Sequence, residues 1–466
     1  MDERTCAPRA LLDGDPRTIT HRPRWRHWRR RIGVAGATVL LATSSFGVSA
    51  PEGSSDALDD PAAARTSAPL TLRDALAAAL RDSPRLPASA FELRAREAET
   101  LQAGLLPNPS LTTEVEDFGG GGSRDAFNAS QTTVSIGQLI ELGGKRAARV
   151  RVAEADADLA RWDYESLRID VLSAVAEAFL VTLAAQENLS LTEDLRRIAE
   201  QSVDTVARTV ASGAVSPVEE GRAKVLLSQV QIARETRARA LDEARVALAA
   251  SLGDTRPTFA AVAGAFSTVR EPEPLEALWL AVERNPDLAR WTSELEQRSA
   301  LLALAEARAI PDVTVSAGGR YYQDEQSGGV VALFSVPLPV FDRNQGAISA
   351  AQSRLARAKA EQRVTEVTVR SAVARAHEVL LSAYRQAVKL RDETIPQAEE
   401  VYRGARDAYA RGLFRYIEVL DAQRTLFQLR AAYVDALLAY HTQIIDIARL
   451  TGRDPEDAGA ISRTMP

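Results

Sequence analysis

Side chains that ligate metals or attack substrates are few in this chain and stand far apart. Its 466 residues hold four histidines, one cysteine and two methionines. Cys6, His21 and His27 fall in a basic N-terminal stretch, while His377 and His441 are 64 positions apart. Metal centres gather such ligands in clusters, so no resident metal, no cofactor and no enzyme activity are expected. A histidine at helical spacing is expected to be packed and hydrogen bonded instead. "ELGGKR", Glu141 to Arg146, puts a glycine pair ahead of a lysine but lacks the Gly-x-x-x-x-Gly-Lys-Ser/Thr spacing of a phosphate loop. It reads as the bend where a strand becomes a helix, with Lys145 and Arg146 solvated at the helix start. The acids that recur lie at two turns, "ASGAVSPVEEGRAK" (211–224) and "ARGLFRYIEVLDAQ" (410–423), which carry Glu219 with Glu220 and Glu418 with Asp421. A helix dipole stabilises acids in a first turn, which is the plain account of them. Ile417 and Asp421 also stand four apart on one helix face, an apolar and an acidic group that a symmetric ring of chains would multiply.

What positions those turns is an internal duplication. Gly213 and Gly412 are 199 apart, Ser135 and Ser335 200, Pro84 and Pro286 202, Pro109 and Pro311 202, and Gly253 and Gly452 199. The chain is two copies of one unit of about 200 residues, long enough to be a structural half. Each copy reads as a short helix, a medium helix, two strands, a very long helix, a turn and a long helix. The first copy places them at about 71–82, 85–106, 109–118, 129–140, 145–212 and 216–252, and the second at about 274–285, 287–309, 312–322, 329–338, 346–411 and 414–451. No proline interrupts 145–213, whereas Pro396 is expected to kink the second long helix. A helix of about 67 residues runs on the order of 100 Å, more than a compact globule needs. In the last helix Ile417, Leu420, Arg424, Phe427, Ala431, Val434, Leu438, His441, Ile445 and Ala448 step alternately by three and four, the seam of a coiled coil. Gly213 and Gly412 then take the left-handed position that closes a helix, and the two turns cap two helical hairpins at the same end.

The strand segments alternate. Val313, Val315, Ala317, Gly319 and Tyr321 oppose Thr314, Ser316, Gly318, Arg320 and Tyr322, and Val134 and Ile136 oppose Ser135 and Gly137. Strands of about ten residues with this pattern suit a transmembrane barrel. Four of them cannot close one, so several chains must share it. The N-terminus has the order of a secretory signal peptide: a basic stretch, a mildly apolar run from Ile32 to Val48, then Val-Ser-Ala, with cleavage near Ala50. Without residues 1–50 the net charge falls from −6 to about −11, which argues against a nucleic-acid partner. Cys6 leaves with the leader, so neither disulfides nor thiolate ligands are expected in the exported protein.

The segments "GLFRYIEVLDAQRTL", "IPDVTVSAG" and "FSVPLPVFDRNQG" resemble the TolC-like family of outer-membrane efflux proteins, and the resemblance covers residues 70 to about 453. "IELGGKRAARV", Ile140 to Val150, is similar to the branch exporting cobalt, zinc and cadmium. The resemblance implies a mainly α fold with a membrane β-barrel: a homotrimer with a twelve-stranded barrel in the outer membrane and a twelve-helix barrel in the periplasm. It implies a passive exit duct of a tripartite resistance-nodulation-division type system, opened by a periplasmic adaptor and an inner-membrane efflux pump, with divalent heavy-metal cations as cargo and outer-membrane lipid around the barrel. Adaptor docking is implied at Ser212, Gly213, Ala214, Arg411, Gly412 and Leu413, and a periplasmic gate among Ile417, Glu418 and Asp421. Many relatives carry a lipidated cysteine at the mature start; this chain has none there, so anchoring rests on the barrel. The expected domains are a signal peptide (1–50), a flexible segment (51–69), a first efflux repeat (70–254), a linker (255–273), a second repeat (274–453) and a tail (454–466). Two other readings remain at this stage. One is a drug-efflux or type I protein-secretion duct of the same fold. The other is a periplasmic coiled-coil adaptor without a pore, which would carry one hairpin flanked by soluble β domains, not strand pairs between helices in both halves.

Overall fold

In the computed structural model, which describes residues 69–213 and 215–456, the duplication is visible as two runs of the same elements. The first run is β1 (Leu70–Thr71), α1 (Leu72–Asp82), α2 (Arg85–Ala103), β2 (Ser110–Glu116), β3 (Gln131–Ile140), α3 (Lys145–Ala211) and α4 (Pro217–Leu252). The second is β4 (Val262–Ala263), α5 (Leu275–Val282), α6 (Pro286–Ala307), β5 (Val313–Tyr322), β6 (Ser327–Ser335), α7 (Gln345–Lys389), α8 (Ile395–Ala410) and α9 (Tyr416–Leu450). The expected signal peptide, most of segment 51–69, most of the tail and Ala214 lie outside the described residues.

Helix α3 is the expected unbroken rod of 67 residues, with α2 and α4 both packed along it. Its counterpart is divided. A π-helical turn at Leu390–Thr394 separates α7 from α8 just ahead of Pro396, whose missing N–H breaks the regular ladder. α6 and α9 pack on this second rod, and α3 also packs on α6 and α9, so the halves share one body. The main core lies where α1, α3, α4 and α9 meet, around Val175, Phe179, Leu180, Leu248 and Ile445. A smaller equivalent surrounds Leu278, Val373, Leu380 and Ile447.

The repeat persists at the level of single atoms. Gly253 and Gly452, at the ends of α4 and α9, have φ of +97° and +65°. A Cβ would stand 2.8 Å from the Asp82 carbonyl oxygen at the first and 2.5 Å from that of Arg284 at the second. Only glycine fits either place.

Both histidines of the sequence reading are packed and hydrogen bonded, and they hold the connection between the halves. His377 Nε2 is 3.0 Å from the Glu273 carbonyl oxygen, and His441 Nε2 is 2.8 Å from that of Phe266. The Phe266 ring stacks on His441 with centroids 5.6 Å apart. Tyr440 bonds both the N–H and the carbonyl of Arg270, and Gln186 does the same for Val262. β4 pairs in parallel with β1, and so the segment after α4 runs back over the first half.

Candidate functional site

Two ends of this body carry the residues singled out above. At one end the four longer strands form an antiparallel sheet in the order β2-β3-β5-β6, in which the halves meet through the ten-residue register Gln131↔Tyr322 to Ile140↔Val313. β2 and β6 are edges with no strand partner among the described residues. Leu111, Val134, Ile136, Val315, Val330 and Phe334 share one face and are exposed. The opposite face is polar and more covered. There Arg320 donates to Thr133 Oγ1 at 2.8 Å and Gln131 Oε1 at 3.1 Å, and pairs with Glu116 at 3.1 Å. The alternation placed Arg320 on this face; its three partners, on β2 and β3, were missed because they become neighbours only through the register.

Where strand becomes helix, the expectation of a solvated Lys145 is overturned. Gly143 and Gly144 do form the bend, with φ of +70° and +71°. Lys145 is buried, however, and its ammonium is 2.6 Å from Asp312 Oδ1, which also accepts from the Leu142 N–H at 3.0 Å. Asp312 opens the second strand pair, so the bend ties one half to the other. Arg149 grips Glu141 with two bonds of 2.6 and 3.1 Å and caps the end of α2 through the Ala103 and Leu105 carbonyls, while Arg146 bonds that of Gly104. Cations at a helix C-terminus complement its exposed carbonyls. The hydrogen bonds from Arg149 hold the Glu141 carboxyl below the usual carboxylate range.

At the other end the two hairpins reverse side by side. Ser212, Gly213, Arg411, Gly412 and Leu413 are exposed, and φ at the two glycines is +73° and +74° with nothing within 4 Å of a built Cβ. Ser216 caps α4 by accepting from the Val218 N–H. Behind the turns Val206, Ala223, Ala405, Tyr416 and Val419 form a cluster spanning both hairpins, with Tyr402 and Tyr409 packed on it. The Tyr409 and Tyr416 rings bracket the second turn with centroids 5.5 Å apart. Burial pushes both hydroxyls above the usual tyrosine value, and the charge of Glu219 adds to this at both.

The coiled-coil seam of α9 holds from Phe427 onward, where Val434, His441, Ile445 and Ala448 are buried. Toward the tip the buried line shifts to Tyr416, Val419, Gln423 and Leu426, leaving Ile417 and Arg424 exposed. A helix with 3.6 residues per turn drifts against a 3.5-residue repeat. Ile417 and Asp421 therefore line a trough of about 1170 Å³ between α4 and α9, floored by Leu191 and Leu195 of α3. Glu418 turns away toward α8, 3.5 Å from Arg415. Asp421 borders both hollows, lining the trough with Ile417 and the smaller space against α8 with Glu418. Among the described residues no helix is long and apolar enough to cross a membrane, and no three His, Cys, Asp or Glu side chains gather as metal ligands.

Residues 75–254 and 277–453 match the family described as outer membrane efflux protein, once for each half. The cobalt-zinc-cadmium resistance protein CzcC of Cupriavidus metallidurans is 34% identical over 83% of this chain and 90% of its own length. The nickel and cobalt resistance protein CnrC of the same organism is 30% identical over 63% of this chain and 69% of its own. Among solved structures CusC superposes with a TM-score of 0.72 at 18% identity, covering 82% of this chain and 92% of that one, a likeness of fold. The chain belongs to the outer membrane efflux protein family.

Proposed function

Proceeding from that membership, we propose that three copies of this chain assemble into a passive exit duct for divalent heavy-metal cations. The observation that carries it is the four-stranded sheet with two edges unpaired among the described residues, one apolar exposed face and one polar face. Such a sheet is stable in a bilayer only when its edges are paired, because lipid offers no hydrogen bonds. Three copies bring twelve strands, enough to close a barrel with the Arg320 face inward. The cargo follows the metal-resistance relatives. A duct needs no tight ligands, so metal ions pass it as substrate.

The exposed tips at Ser212, Gly213, Arg411, Gly412 and Leu413, with Ala214 next to Gly213 in the sequence, are the docking points for a periplasmic adaptor bound to an inner-membrane pump, and the gate is built on Ile417 and Asp421. The ten-residue register joining strand pairs from both halves disfavours the pore-less adaptor reading. Deleting the gene should sensitise the host to zinc, cobalt and cadmium more than to dyes; unchanged metal tolerance with lost dye resistance refutes the cargo. A Cβ at Gly412 would meet no described atom within 4 Å, and Gly412→Asp costs on the order of 1 kcal/mol of backbone strain, so it should leave trimers intact and abolish export. Asp421→Ala should raise single-channel conductance in a planar bilayer, and parental conductance would return Asp421 to the plain helix-dipole account.

A further inference from the structure

The sheet edges have apolar neighbours that the duct reading leaves unused. After β6 the chain runs "VPLPVF", in which Leu338, Val340 and Phe341 are 79%, 61% and 91% exposed. Pro337 and Pro339 lack N–H groups, so this strap cannot extend the ladder beyond β6. It is nonetheless braced. Arg343 Nε donates to the Pro339 carbonyl at 3.3 Å, Gln345 Nε2 to that of Phe341 at 3.2 Å, and Asn344 Nδ2 ties the strap to the end of α6 through the Ala305 carbonyl at 2.7 Å. Ahead of β2, Leu101, Leu105 and Leu106 are likewise exposed, at 73%, 51% and 66%, on a backbone held by Arg146 and Arg149.

The register puts the two apolar sets at one level. Ser335 pairs with Thr314 beside Val313, Val313 pairs with Ile140, and Ser110 pairs with Gly137. The end of β6 and the start of β2 thus lie at the same end of the sheet, on opposite edges, separated by three strand spacings or about 14 Å. Within one copy they are kept apart by β3 and β5. Between copies, pairing β6 of one with β2 of the next brings them together.

We infer that the strap at Leu338–Phe341 of one copy clasps the Leu101–Leu106 segment of the next, an apolar collar that locks neighbouring copies where barrel meets helices. This rests on the trimeric reading above. Large apolar side chains held outward on a braced loop suit a partner surface, and the second copy is the occupant that the strand edges deliver to this level. The collar acts through side chains, where the barrel joint acts through backbone hydrogen bonds, so it adds apolar burial where proline has ended the ladder.

The test uses full-length protein in membranes, in a Cys6→Ser background, with a short bismaleimide. Leu105→Cys combined with Phe341→Cys should shift the chain from monomer to linked dimers and trimers in denaturing gels, with neither single variant doing so. The edge joint is reported separately by one further pair, Leu111→Cys, Thr113→Cys or Val115→Cys of β2 combined with Val330→Cys of β6, all on one face of the sheet. The β2 position is chosen by scanning, because closing a barrel staggers the register between copies. Linkage of that pair without the Leu105–Phe341 pair overturns the collar and leaves the duct standing; linkage of neither overturns both. Phe341→Trp supplies a second reading. Its fluorescence should be unaffected by brominated lipid, and strong quenching would place the strap in the bilayer and overturn the collar.

Discussion

The chain passes from strand into long helix twice, and the two passages solve one turn with different chemistry. The first uses Gly143 and Gly144 at positive φ and locks the bend with Lys145–Asp312 and Glu141–Arg149. The second uses Asn344 at φ +59°, with its N–H donated to Asp342 Oδ1 at 2.8 Å and its side chain to Ala305. The partner of Lys145 lies in the other half; the partner of Asn344 lies in its own. The first passage is therefore a joint between copies of the repeat, and the second stays local. Duplicated halves have kept the backbone path while dividing the work of cohesion unequally.

The sharpest way to break this comparison is at the bends. A Cβ at Gly143 would stand 2.8 Å from Ile310 Cδ1 and 3.0 Å from the Ala307 carbonyl oxygen. Gly143→Val combines that clash with a strained φ and should lower stability by roughly 2 kcal/mol or more. Asn344→Gly relieves a left-handed residue while losing one hydrogen bond, a net change within about 1 kcal/mol. Heat resistance of the oligomer in detergent compares them, and equal losses would erase the asymmetry. Next in size, Lys145→Met leaves Asp312 half-covered without its cation and should cost about 1–3 kcal/mol. Lys145→Met with Asp312→Asn should recover part of it, and no recovery would mean that the pair does not join the halves.

The smallest effect is one of pH. Glu141 is held below the usual carboxylate range by Arg149, so its contribution is complete above the unfolded pKa of about 4 and is lost as pH falls through the lowered folded value. Glu141→Gln should flatten the acid limb of the stability curve slightly, whereas Asn344→Gly should leave its slope unchanged. Denaturant midpoints taken from neutral to acid pH read both.

Much of this was legible in one dimension. Proline and glycine landmarks set the duplication, the absence of proline set α3, and alternation separated the two faces of the sheet. What escaped depends on contacts across large sequence separations. Lys145 looked solvated because Asp312 is 167 positions away. The tip seam was misplaced by one residue because heptad counting ignores the slow rotation of the contact face, which turned Ile417 out and Gln423 in. The histidines were read as packed, but the linker carbonyls that they hold could not be named from spacing.

The unbroken helix α3 also acts as a ruler. From bend to tip the first rod counts 69 positions, Gly144 to Gly213, and the second 68, Asn344 to Gly412. One residue is about 1.5 Å of height and about 100° of rotation, so an insertion in one rod alone would lift its tip out of level and turn its packed face outward. Beyond the single residue by which the rods already differ, changes of length disturb the packing least when both rods take them together, in whole multiples of the packing repeat. The distance from barrel to tips is thus counted out twice in the same chain, and each count proofreads the other.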